Sequence, residues 1–130
     1  MRLIEKIKHF HTTLWDEKNT HVIFNLFTEN AKIHSPIRTV TGPEALRDVM
    51  TTWFIAFPDL VITWGEILAS TDKVVATWQA TGTHLGPFLD IPPRGKTVHY
   101  HGTTIYEFID DKVSEYWALI NLDDLRQQLD

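Results

Sequence analysis

Two stretches, KVVATWQATGTH (Lys73–His84) and TVHYHGTTIYEF (Thr97–Phe108), decide the fold. Both alternate. On the first, Val74, Ala76, Trp78, Ala80, Gly82 and His84 share a face; on the second, Val98, Tyr100, Gly102, Thr104, Tyr106 and Phe108 do. The connector Leu85–Lys96 holds Gly86, Pro87, Pro92, Pro93 and Gly95, which neither prolong a strand nor start a helix. Two long strands therefore present aromatic faces with a few polar groups. Such faces suit the wall of a small-molecule pocket and equally an ordinary sheet core.

Working outward, the C-terminal side continues the sheet. Asp110-Asp111 makes a tight turn into a last strand, Lys112–Ile120, and Asp123–Leu129 reads as a short helix capped near Asn121 or Asp123. On the N-terminal side, Leu60–Leu68 alternates as a strand and Ser70-Thr71-Asp72 turns it into Lys73. Before it, Thr41-Gly42-Pro43-Glu44 starts a helix with Leu46, Val49, Met50, Trp53 and Phe57 at helical spacing, and Pro58 ends it. Ala31–His34 is a brief strand and Arg38–Thr41 another. Arg2–Trp15 is a first helix with Ile4, Ile7, His11 and Leu14 on one stripe. A second, short helix starting at Thr20 turns Val22, Ile23, Leu26 and Phe27 inward. Early helices followed by consecutive strands predict an α+β fold, three helices covering one face of a curved antiparallel sheet around a conical interior.

Composition narrows the function classes. The chain of 130 residues is read as one domain, 1–130, of 43% hydrophobic and 22% charged residues. A net charge of −5, with no basic cluster, argues against nucleic acid and anionic membranes as partners. Cysteine is absent, which removes disulfides and thiolate chemistry. Without a leader-like N-terminus or a run of membrane-spanning length, the expectation is a soluble cytoplasmic protein. Five tryptophans, seven phenylalanines and three tyrosines imply a bulky core or an aromatic-walled cavity.

Phe57-Pro58-Asp59-Leu60, Thr81-Gly82-Thr83-His84-Leu85-Gly86, Ile91-Pro92-Pro93-Arg94-Gly95-Lys96 and Glu115-Tyr116-Trp117 together resemble the SnoaL-like polyketide cyclase family, also called ester cyclases. The resemblance covers about residues 7–129. It implies the cone-shaped nuclear transport factor 2-like fold, a bound small organic molecule, and chemistry without a cofactor. Relatives that isomerise ketosteroids carry an aspartate base where this chain has Ser35, a tyrosine where it has Phe10, and a protonated aspartic acid where it has Thr104. Cyclases of the family commonly read Glu-His-Trp-Asp, then a further aspartate. Here the sequence is Glu115-Tyr116-Trp117-Ala118, then Asn121.

The candidate acid–base groups are His34, at the end of the first short strand, and Glu115 on the last strand. Candidate ligand contacts are Trp53, Trp78, His84, Tyr100, Thr104, Tyr106, Trp117 and Asn121. Glu115 belongs with Trp117, Leu119 and Asn121 on one face and serves catalysis only if that face is the interior. His84 equally suits a turn-supporting role; any single ring of Trp53, Trp64, Trp78, Tyr100 and Tyr106 suits core filling better, while the set together suits a pocket wall. His99 and His101 stand at metal-ligand spacing, but two histidines are too few, so no metal site is expected. Thr97, His99, His101, Thr103 and Ile105 form a moderately polar outer face, expected to pair two copies as a homodimer. Two functions remain open: a cofactor-free acid–base cyclase or isomerase, and a non-catalytic small-molecule-binding or protein-interaction domain of the same fold.

Overall fold

The computed structural model describes residues 2–130; Met1 lies outside it. Helix α1 (Leu3–His11) buries Ile7, Phe10 and His11 and runs into a π-helical turn, Thr12–Asp16, that buries Leu14. Helix α2 is short, Val22–Leu26. Phe27, expected to close that helix, instead opens strand β1 (Phe27–His34), which is longer than the brief strand the sequence suggested. Strand β2 is Thr39–Thr41 and helix α3 is Pro43–Ala56. Strands β3 (Val61–Ala69), β4 (Lys73–Thr83), β5 (Thr97–Ile109) and β6 (Lys112–Ile120) follow, then helix α4 (Leu122–Gln128). The three helices expected over the sheet are not three regular N-terminal helices: α1 runs into a π-helical turn, α2 has five residues, and α3 follows β2, in the order the sequence suggested.

Gly42, rather than Thr41, stands at the α3 N-cap, with φ of +92°. Its backbone N–H donates to the Ala31 carbonyl at 2.8 Å, which binds the start of α3 to β1. A left-handed φ at this junction favours glycine and excludes the threonine side chain as cap.

The six strands form one curved sheet in the order β2-β1-β6-β5-β4-β3. β3 to β6 form an antiparallel meander, as their alternation predicted. The expected wholly antiparallel sheet is not formed, because β1 lies parallel to β6. Strand β1 is followed by helix α3 and the meander before the chain returns to it, so the last strand arrives beside β1 running the same way.

Ala76, Ala80, Val98, Tyr100, Thr104 and Tyr106 are buried on the inner face, as the alternation of β4 and β5 required. The core divides in two. Ile7, Phe10, Leu14, Ile23, Phe27, Tyr106 and Tyr116 gather at one end. Trp53, Phe57, Leu60, Phe88, Tyr100, Leu125 and Leu129 gather at the other. Among the described residues no helix is long and apolar enough to cross a membrane.

Candidate functional site

An apolar cleft opens at the seam between these two clusters. Helix α3 supplies Val49, Met50 and Trp53. The sheet supplies Ile62, Trp64, Trp78, Tyr100, Thr104, Tyr116, Ala118 and Ile120, and Trp15 with Ser35-Pro36 completes the rim. The inward positions of four strands converge here because each places alternate side chains on the concave face. With its mouth the cleft encloses about 460 Å³, but only about 30 Å³ admits the centre of a water-sized sphere. That inner space holds about two waters. An organic ligand therefore enters by moving wall side chains.

The sequence candidates divide cleanly. Trp53, Trp78, Tyr100 and Thr104 meet on the wall. The Trp78 indole N–H donates to the Thr104 hydroxyl at 2.9 Å, which leaves the Thr104 hydroxyl hydrogen available to a ligand. The Trp78 and Tyr100 rings pack edge to face, with centroids 5.8 Å apart. Burial pushes the Tyr100 and Tyr116 phenols well above their ordinary pKa, so both remain neutral O–H groups.

The other candidates lie away from this wall. His84 is fully buried; its Nδ1 accepts the Arg94 backbone N–H at 3.2 Å, and its backbone pairs with Gly95 and Lys96. It supports the proline-rich connector. Tyr106 is inside the core and shares a 2.8 Å hydrogen bond with His11. Asn121 accepts the Asp124 N–H at 3.0 Å and caps α4.

His34 and Glu115 form a pair at 2.7 Å, half exposed, with the imidazole stacked on Trp117 at a centroid distance of 5.4 Å. This pair occupies the outer face of the sheet. The sequence allows Glu115 a catalytic role only if the face it shares with Trp117, Leu119 and Asn121 is the interior; on β6 that face is the outer one, and Tyr116 and Ala118 point inward. The reason is a bulge: Glu107 pairs with Glu115 while Phe108 pairs with Val113. The extra residue, Ser114, lets buried Val113 precede an outward Glu115.

The cleft wall thus contains no carboxylate, imidazole or amine among the described residues. No group of three or more potential metal ligands occurs among them either. Of the wall's aromatic rings, Trp15 and Tyr116 were not among the sequence candidates, and Tyr116 needed knowledge of the bulge. Trp64, which the sequence offered as a pocket ring, lies beside a second irregularity, between Trp64 and Ile67 in the β3–β4 pairing. His11, which sequence spacing placed only on the inward stripe of α1, stacks flat on Trp64 at 3.3 Å and 4°.

The profile of SnoaL-like polyketide cyclases matches residues 5–129. The chain belongs to the SnoaL-like polyketide cyclase family. A protein described as a SnoaL-like polyketide cyclase from Jannaschia sp. CCS1 superposes with a TM-score of 0.90 at 22% identity, over 97% of this chain and 90% of its own. AclR from Streptomyces galilaeus, described as a hydroxylase, gives 0.82 at 26% identity over 97% and 80%. A protein described as a polyketide cyclase from Acidithiobacillus ferrooxidans gives 0.78 at 26% identity over 96% and 92%. A search of curated proteins finds none that matches. Within this SnoaL-like chain, Ala118 stands on the cleft wall where the Glu-His-Trp-Asp pattern carries its aspartate.

Proposed function

We propose that this SnoaL-like protein binds a small, flat, predominantly apolar molecule in the aromatic cleft and holds it without acid–base turnover. The observation that carries the reading is a wall of rings and aliphatic groups whose polar members, Thr104, Tyr100, Tyr116 and Ser35, are all neutral. Such donors suit a carbonyl or ether oxygen, not a charged group, and none of them can abstract a carbon-bound proton near neutral pH. The chain is taken as one domain over residues 1–130, cytoplasmic and independent of a cofactor.

Thermal melting against a panel of aromatic ketones, quinones and lactones tests this. A ligand at one hundred times its Kd stabilises by about 2.7 kcal/mol. Trp78→Leu and Thr104→Val should each reduce that shift. A panel in which nothing shifts the melting temperature would sink the proposal.

A second reading rests on the His34–Glu115 pair, one residue from the cleft-lining Ser35. In it, the pair moves a proton for a substrate reaching the rim, as in a cyclase or isomerase. It requires turnover of an enolisable aromatic ester that His34→Gln abolishes while ligand binding in the cleft persists. We further propose a homodimer through the outer sheet face, where Thr97, His99 and His101 are exposed and Thr103 and Ile105 half-buried. A monomeric mass by sedimentation at micromolar concentration would refute it.

A further inference from the structure

A second opening lies between α1 and β3 and shares Trp64 alone with the aromatic cleft. Arg2, Ile4, Lys8, His11 and Thr12 line one side, and Trp64, Gly65 and Ile67 the other. It is an open groove of about 530 Å³, far roomier than the interior of the cleft. Its base holds an unusual pair of nitrogens. His11 is 2% exposed, and its Nδ1 has no hydrogen-bond partner among the described residues; Trp64 Nε1 is buried and unpartnered in the same way. The rings carrying them lie flat on each other.

The tautomer of His11 follows the direction of its bond to Tyr106, in which either group can donate. Tyr106 is neutral, and its O–H has His11 Nε2 as its hydrogen-bond partner, at 2.8 Å. If the phenol donates to Nε2, a neutral imidazole carries its hydrogen on Nδ1. His11 Nδ1–H and Trp64 Nε1–H are then two buried donors without acceptors, a costly arrangement that an incoming acceptor would relieve. Two cations line the same groove. Lys8 is exposed, and Arg2 pairs, among the described residues, with exposed Glu5 at 3.6 Å. Ile4 and Ile67 are half-buried and supply apolar flanks.

We infer that the groove between α1 and β3 is a second binding site, for a small amphipathic carboxylic acid. Its carboxylate accepts from His11 Nδ1 and Trp64 Nε1 under the charges of Lys8 and Arg2. Its hydrocarbon part lies along Ile4 and Ile67. This site differs from the cleft in selecting an anion, since the cleft wall has no cation. Neither nitrogen is open to water in the unliganded chain, so the acid must part the wall.

The test follows the indole N–H signals of the tryptophans by NMR during titration with octanoate, with octanol as control. Trp64→Phe assigns the Trp64 signal; those of Trp53 and Trp78 report the cleft. The expected result is a saturable shift of the Trp64 signal with octanoate and not with octanol, Trp53 and Trp78 staying in place. Lys8→Glu, on an exposed position that folding tolerates, should weaken binding at least about tenfold, or 1.4 kcal/mol. The reading is overturned if octanoate at about 10 mM, enough to fill most of a millimolar site, leaves the Trp64 signal unmoved. It is overturned also if octanol acts equally, if Lys8→Glu binds as well as the parent, or if the Trp53 and Trp78 signals move together with that of Trp64. Failure here leaves the cleft proposal untouched: Trp64 borders both openings, but only the cleft is lined by Trp53 and Trp78.

Discussion

His11 shows how one residue couples packing to solution conditions. Its burial lowers the imidazole pKa from 6.5 to about 3, since a cation there has no water to solvate it. The unfolded chain therefore binds a proton that the folded chain refuses. Stability from this group is full above the unfolded pKa of 6.5 and drains away as pH falls toward 3. The drain is at most about 5 kcal/mol by pH 3. Thermal melts of the parent should fall steeply between pH 6 and pH 4, while His11→Gln, less stable at pH 7, should lose less over that interval. Parallel slopes for the two proteins would count against a neutral buried His11. The sequence placed His11 on the buried stripe of α1, and to that extent its position was legible. Its partner Tyr106 and its stacking on Trp64 were not, because both come from strands more than fifty residues distant and depend on how the sheet curves.

At the scale of elements, regular alternation was readable and its interruptions were not. β4 and β5 pair residue for residue from Lys73–Glu107 to Thr83–Thr97, and their inner and outer faces follow from sequence alone. β6 carries one extra residue, so the same counting grouped Glu115 with Trp117 but left open which of its faces turns inward. Bulges carry no strong local mark unless glycine provides it. Gly102 marks something else. A Cβ there would stand 2.5 Å from Trp78 Cζ2 and 2.6 Å from the Leu119 carbonyl oxygen. The indole lies across the glycine, and the neighbouring strand closes the other side. Gly102→Ala must therefore displace backbone as well as a ring, and should cost about 2 kcal/mol or more in denaturant unfolding. It should also disturb the Trp78–Thr104 hydrogen bond, visible as a shift of the Trp78 indole N–H signal. A variant as stable as its parent would show that the strands have slack at this point.

For the whole molecule, the resemblance to a known family carried the fold and the expectation of a cavity. It could not carry the chemistry, because what distinguishes this chain is which side chains reach the cleft. Trp53, Trp78, Tyr100 and Thr104 reach it, and the ionisable candidates His34 and Glu115 do not. The wall is built from both core clusters, so substitutions in it test stability and binding together. Trp53 is 5% exposed and packs on Phe88 and Tyr100, with centroids 4.9 and 5.8 Å away. Trp53→Ala should destabilise by about 3–5 kcal/mol. It should also enlarge the cleft, so that larger ligands bind better relative to small ones. Isothermal titration with a homologous series of aromatic ketones would show this as a reversal of size preference, and an unchanged ranking would mean that Trp53 does not limit the space.

The parallel joint between β1 and β6 has a further consequence, for the order of events during synthesis. His34 meets Glu115 across 81 positions, so β1 emerges from the ribosome long before its neighbour exists. The β3–β4–β5 meander needs only local pairings and can form first, but β1 waits for its neighbour until β6 is made. Loss of β6 and α4 would strand that edge without its neighbour and strip Leu125 and Leu129 from the second core cluster. The nascent protein therefore carries an unpaired, sticky edge on β1 until β6 has been made, and completion of the sheet is timed by that strand.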